Sequence, residues 1–265
     1  MATAEEIIEQ EVNRSELVQD YIMSKIADAP YWKTPLGPVP LDALNLTRHG
    51  LMLLLASALL IWVFGFLYRK KDPVPRGFTN LLEVLVLFIR DQIAIANLGE
   101  RDGRKLAPFF LTLFFFILFL NLMGLIPLFA GATSNVNVTA GLALITLSVM
   151  IGGAIMKNGF IGFLRAFIPH GVPWPVMIIL VPIEFMGMFI KAFALTMRLF
   201  ANMLAGSIVL YSIIGLVVVF GIAGAPSLLL AAGIYILKVF VAFLQAFVFT
   251  LLSALFIHQV HHPAH

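Results

Sequence analysis

Apolar residues run without a charge from 50 to 67 and stop at Tyr68, Arg69, Lys70 and Lys71. As a helix this run is long enough to cross a hydrocarbon core of roughly 30 Å. The three cations predict that its end lies in the cytoplasm, where membrane proteins accumulate Lys and Arg. Over 72–105 the pattern changes, with Arg76, Glu83, Arg90, Asp91, Arg101, Arg104 and Lys105 interleaved among NLLEVLVLFI and QIAIANL. These apolar stretches are too short to span, and they predict an amphipathic helix on the cytoplasmic face. No charge occurs over 106–156, and the polar break GATSNVNVT divides that run into two spans joined by a neutral external turn. Lys157, Arg165 and His170 then bring the chain back to the cytoplasmic side.

The next apolar run, 176–220, has no proline after Pro182, and as a helix it would be about 65 Å long. That is twice a membrane, so the run either folds back near 202–207 or forms one strongly tilted helix. The missing cluster of turn formers favours tilt. GIAGAPS supplies a neutral outer turn and 228–257 returns. The expected fold is thus an all-α polytopic membrane protein. It has five crossings and one interfacial amphipathic helix, and its last two helices form a long tilted hairpin. Its segments are an extracytoplasmic stretch 1–49, a first span 50–71, the interfacial helix 72–105, a hairpin 106–165, the long hairpin 171–258 and a cytoplasmic tail 259–265.

Composition agrees with this class: 61% of the 265 residues are hydrophobic, 24 are Phe and only 12% are charged. The net charge of +3 does not indicate nucleic acid, because the cations cluster at the ends of apolar runs. No cysteine is present, which excludes disulfides and thiol chemistry. The first 49 residues carry eight acids against Arg14, Lys25, Lys33 and Arg48. A cleaved signal is therefore not expected, and nothing in the segment resists export.

Four charges stand alone in the stretch 166–257: Glu184, Lys191, Arg198 and Lys238. An ionisable group at bilayer depth costs on the order of 3 kcal/mol or more and marks an ion path or a buried partner. Glu184, Lys191 and Arg198 are seven apart, and seven helical residues return to within roughly 20° of the start. Asn202 extends this stripe by one turn, while Lys238 and Gln245 repeat the interval on the following helix. Both stripes are expected to face protein or water. The long stems of Lys191 and Lys238 leave snorkelling to an interface open. That reading fails for Arg198, which lies mid-run with no acid within one turn. An arginine that cannot deprotonate and has no internal counter-ion requires a carboxylate from another chain.

MRLFANMLAG at 197–206 resembles the signature of the subunit a family of F-type ATP synthases. NLMGLIPLF, LVPIEFMGMFIKAFAL and FLQAFVFTLL are similar to that family at the expected spacing, so the resemblance covers roughly 76–256. It implies a stator that wraps two tilted helices on a rotating ring of c subunits, each with one buried acid. A ring carboxylate in lipid stays protonated because desolvation disfavours its charged form, and opposite Arg198 the proton leaves. Two offset half-channels would then force each ion to ride the rotor, at about 2.3 kcal/mol per charge and 100 mV. By position, Glu184 and Lys191 would then line the cytoplasmic approach, and Asn202, Gly206, Ser207, Lys238 and Gln245 the outer one. Asn202 and Gln245 become hydrogen-bonding neighbours of the arginine, and Ala201, Ala205 and Gly206 allow close helix approach.

The chain departs from this pattern where the family usually carries an acid and a histidine; Ser207 and Lys238 stand there instead. Its outer path therefore depends on water and hydroxyls, on the lysine itself, or on Tyr211, Ser212 or Tyr235. The expected partners are the c-ring, b-type peripheral stalk subunits, the other synthase subunits and lipid. No cofactor is expected, and no Walker A loop, dinucleotide fingerprint or HExxH occurs, so ATP chemistry belongs to the partners. Sodium coupling is the alternative to protons. A secondary transporter is a rival class, opposed by the absence of an internal repeat. A purely structural assembly subunit, the other rival, has no need of an arginine stripe. His258, His261, His262 and His265 read as a solvated tail, and FFLTLFFFILF reads as lipid-facing packing. Length, the acidic N-terminal stretch and the missing transit peptide favour a bacterial inner membrane, with the N-terminus outside and the C-terminus in the cytoplasm.

Overall fold

The computed structural model describes residues 4–34, 37–41, 46–67, 77–126, 129–165, 167 and 173–261. The expected cytoplasmic markers Arg69, Lys70, Lys71, Arg76 and His170, and the tail residues His262 and His265, lie outside them. Helix α1 (Ala4–Ile26) leads into a hairpin of β1 (Tyr31–Thr34) and β2 (Gly37–Pro40), paired antiparallel with Trp32 opposite Val39. Then follow α2 (Arg48–Trp62), α3 (Phe78–Phe88), α4 (Ala96–Met123), α5 (Val136–Arg165), α6 (Trp174–Phe220) and α7 (Ser227–His261). Wider π-type turns extend α2 over Val63–Leu67 and join α3 to α4 over Ile89–Ile95. Five helical runs are long and apolar enough to cross a membrane: Arg48–Phe66, Phe78–Met123, Val136–Leu164, Pro175–Gly224 and Ser227–Val260.

α6 is one unbroken helix of 47 residues, about 70 Å at the standard rise. No fold-back occurs at 202–207. The helical run entering the first hairpin begins well before 106, and its break lies at Gly99, with φ 77° and ψ 171°. Only glycine adopts that backbone without a Cβ penalty. Four residues later, a Cβ on Gly103 would stand 2.6 Å from the Ala94 carbonyl oxygen, so the corner closes backbone against backbone.

The contacts divide the chain into two compact units. The first holds Met1–Ala56, Leu118–Asn135 and Phe200–Leu244. Here α1 lies along the end of α6: Tyr21 meets Tyr211 edge-on at 5.9 Å, Arg14 donates to the Val219 carbonyl at 3.3 Å, and Val18 packs on Gly215. Ser15, Val18, Ile22 and Ile26 form the less exposed stripe of α1, at helical spacing. Trp32 of β1 stacks on Phe129 at 6.2 Å. Arg48 donates to the Ser24 and Ala27 carbonyls at 2.9 and 2.6 Å, a cation on carbonyls that the end of α1 leaves open.

The second unit holds Ser57–Ile117, Val136–Leu199 and Gln245–His265. Its core is aromatic. Phe110, Phe114 and Phe115 of α4 are fully buried, and Phe64 meets Phe115 at 4.8 Å. This corrects the lipid-facing reading of the Phe-rich run: three of its rings are inner packing. Phe163, Phe167, Phe185 and Phe189 continue as an edge-to-face ladder, a geometry that adds about 0.5–1.5 kcal/mol per pair. Lys157 of α5 pairs with Asp102 of α4 at 2.5 Å.

Candidate functional site

The two polar stripes have opposite surroundings. On α7 the stripe is internal, with Lys238 8% and Gln245 4% exposed. It runs among the small buried residues Ala231, Ala242, Ala246 and Ala254, which let helices approach closely. On α6 the buried positions are Met188, Leu195, Leu199, Met203 and Leu210, at heptad-like spacing, and the polar stripe lies beside them. Glu184, Arg198 and Asn202 are exposed, and so are Ala201 and Ala205. Close approach in the first unit is therefore made by α7 alanines and by Gly206, not by Ala201 and Ala205.

In the first unit Lys238 reaches across Gly206, where a Cβ would stand 3.4 Å from the lysine Cε. Its Nζ donates to Ser207 Oγ at 3.1 Å, and Ser207 Oγ donates to the Met203 carbonyl at 2.8 Å. The lysine is thus turned inward and is not snorkelling. The pair expected to replace an acid and an imidazole is in contact, as an amine on a hydroxyl.

In the second unit Lys191 is half-buried, donates to Gln259 Oε1 at 2.5 Å and sits 5.4 Å from the Phe256 ring centre. α7 therefore holds this cation by an amide and a ring face. Glu184 and Arg198 form no hydrogen bond or ion pair with any of the described residues. Thr196, Thr250 and Ser253 each return their hydroxyl to the carbonyl four residues back, so these polar groups are satisfied within their own helix. Among the described residues no three His, Cys, Asp or Glu side chains gather as a metal site.

A polar group that the pattern of the long helices did not point to lies in the first unit. His49, 2% exposed, places Nδ1 3.2 Å from Asp28 Oδ1 and 3.1 Å from Asn135 Nδ2. Asp28 Oδ1 also accepts from the Ala29 and His49 backbone N–H groups at 3.0 and 3.2 Å. Burial raises the Asp28 pKa, but hydrogen bonds from Thr47, His49 and Ala29 and the nearby imidazole outweigh it, and the net shift is downward. The carboxylate's contribution to stability is present at neutral pH and is lost as pH falls through its folded-state value.

Five long apolar helices carrying isolated cations define a polytopic helical membrane protein with intramembrane ionic groups. Residues 50–258 match the model of the family described as ATP synthase A chain. The chain belongs to that family. It is 48% identical over 223 residues to ATP synthase subunit a of Anaeromyxobacter dehalogenans (strain 2CP-C), covering 82% of this chain and 58% of that protein. It is 47% identical over 222 residues to ATP synthase subunit a of Myxococcus xanthus (strain DK1622), covering 81% and 72%. To ATP synthase subunit a of Chlorobium phaeobacteroides (strain BS1) it is 43% identical over 254 residues, covering 90% and 75%. The chain spans 58% of the length of the Anaeromyxobacter relatives that it matches.

Proposed function

We propose that the chain is the ion-translocating stator of the membrane sector of a rotary ATP synthase and has no ATP chemistry of its own. The observation that supports this most is Arg198. It is a permanent cation on an apolar helix, exposed and without a partner among the described residues. Leaving such a group against lipid costs on the order of 3 kcal/mol or more, so its counter-charge comes from a neighbouring chain. A rotor ring with one buried carboxylate per subunit supplies it. Facing Arg198 the carboxylate ionises; past it, in lipid, it must take up a proton again.

Glu184 and Lys191 line the cytoplasmic approach in this reading. Asn202, Ser207 and Lys238 line the outer one, and Gln245, buried on α7, belongs to the same outer path. Protons are the ion assigned, because a ring carboxylate that ionises opposite Arg198 is neutralised in lipid by a proton alone. The N-terminal segment lies outside, the C-terminus lies in a bacterial cytoplasm, and the remaining partners are b-type stalk subunits and the rest of the synthase. Arg198→Ala in the assembled complex is expected to abolish ion-coupled ATP synthesis in vesicles while leaving subunit composition unchanged. Normal coupled synthesis in that variant would sink the reading.

A further inference from the structure

His49 is a buried titratable group, 2% exposed, that the proposed ion path does not use. It stands at the start of α2, and its two ring nitrogens have unlike surroundings. Nδ1 faces two groups with opposite demands: the Asp28 carboxylate accepts a proton, and the Asn135 amide nitrogen donates one. With Nδ1 protonated, the ring donates to Asp28 and the Asn135 amide must turn its oxygen inward. With Nδ1 bare, it accepts from Asn135 and the proton sits on Nε2. In both forms Nε2 is buried and meets no hydrogen-bond partner among the described residues. A buried ring nitrogen left in that state costs about 1–3 kcal/mol, which a water at that atom removes.

The charges acting on the imidazole are Asp28, from the link after α1, and Arg48 on α2 itself. Tyr31 of β1 and Tyr211 of α6 act on Arg48. Burial and Arg48 favour the neutral ring, and Asp28 is the group that favours the imidazolium. Further polar groups lead inward within the same unit. Asn135 closes the link between α4 and α5, and Thr133 in that link donates to Asn121 Oδ1 at 2.9 Å. Asn121, fully buried, faces the Ala242 carbonyl of α7 at 3.4 Å, one turn beyond Lys238.

We propose that Asp28 and His49 form the proton-loading pair of the outer path, supplying from the N-terminal segment and α2 the acid and imidazole that α6 and α7 lack. This rests on the stator reading above. The imidazole takes a proton from water on the outer side and becomes imidazolium, with Asp28 as its counter-ion. It then releases a proton to water inside the path and returns to the neutral ring. Proton count and charge are unchanged over the cycle. The lesser role consistent with the same contacts is that Asp28 only caps α2, since its Oδ1 accepts the His49 N–H.

Asp28→Asn separates the two, because an amide oxygen still caps while the charge is gone. The test uses the whole synthase in vesicles, with ATP synthesis driven by acid–base jumps and initial rates read against loading-side pH. Asp28→Asn is expected to shift the midpoint of that profile. His49→Ala is expected to lose roughly a hundredfold or more at neutral loading pH, the lower end of the scale of a positioned acid–base group, and to regain rate with added imidazole. Parent-like profiles in both variants overturn the pair. So does a uniform loss with an unmoved midpoint and no imidazole rescue. If His49→Ala does not assemble, the Asp28→Asn midpoint decides alone. Arg198→Ala run alongside keeps the two readings apart: coupled synthesis there removes the stator, whereas its loss beside a parent-like Asp28→Asn removes only the loading pair.

Discussion

Arg198 and Lys238 are cations on the two long helices, and their surroundings differ in kind. Lys238 is 8% exposed, crosses Gly206 and donates a hydrogen bond to Ser207. Arg198 is exposed, and none of the described residues pairs with it. The first cation is solvated by its own fold; the second meets no partner among the described residues. The guanidinium accounts for part of this, since it stays charged at any accessible pH, whereas a buried amine can discard its proton. Lys191 is intermediate, half-buried and tied to Gln259 and Phe256.

The sharpest break of this contrast is Arg198→Lys, which keeps a cation and removes the fixed charge and the planar fork. Coupled proton pumping driven by ATP is expected to fall nearly as far as in the alanine variant. Retention of most activity would mean that any cation suffices there. A smaller effect is expected for Lys238→Ala, which removes the contact with Ser207 and leaves Arg198 in place. The pH dependence of proton uptake is expected to move while synthesis persists at a reduced rate, and an unmoved profile returns Lys238 to structural packing. The smallest effect belongs to Lys191→Met. It removes one hydrogen bond, about 0.5–1.5 kcal/mol, so the complex is expected to dissociate slightly earlier in detergent, with coupling near normal.

Much of the architecture was legible along the chain. Continuous apolar runs, the polar break before α5 and the GIAGAPS turn reported the long helices, because a helix in hydrocarbon must be apolar over its whole length. The unbroken α6 followed from the missing turn formers near 202. Three things were not legible. The helix α1 is one; its stripe Ser15, Val18, Ile22 and Ile26 is the available signal, diluted by surrounding charges. The Phe-rich run of α4 was assigned to lipid because hydropathy does not distinguish a lipid-facing ring from a buried one. His49 escaped notice because a histidine at the edge of a span is ordinarily an interfacial residue, and its partners Asp28 and Asn135 are 21 and 86 residues away.

The amino-acid sequence by itself determined which residues lie in apolar helices and which charges stand isolated within them. Helical spacing then placed Glu184, Lys191 and Arg198 on one stripe, since the period of a helix converts position into face. Only the tertiary structure decided which of these charges the chain satisfies internally. Lys238 found Ser207 and Lys191 found Gln259 through packing between helices, and Arg198 found nothing among the described residues. Hydrogen bonds act over about 3 Å, and residues that meet at that distance can be far apart along the chain, so no local pattern records whether a buried charge has a partner.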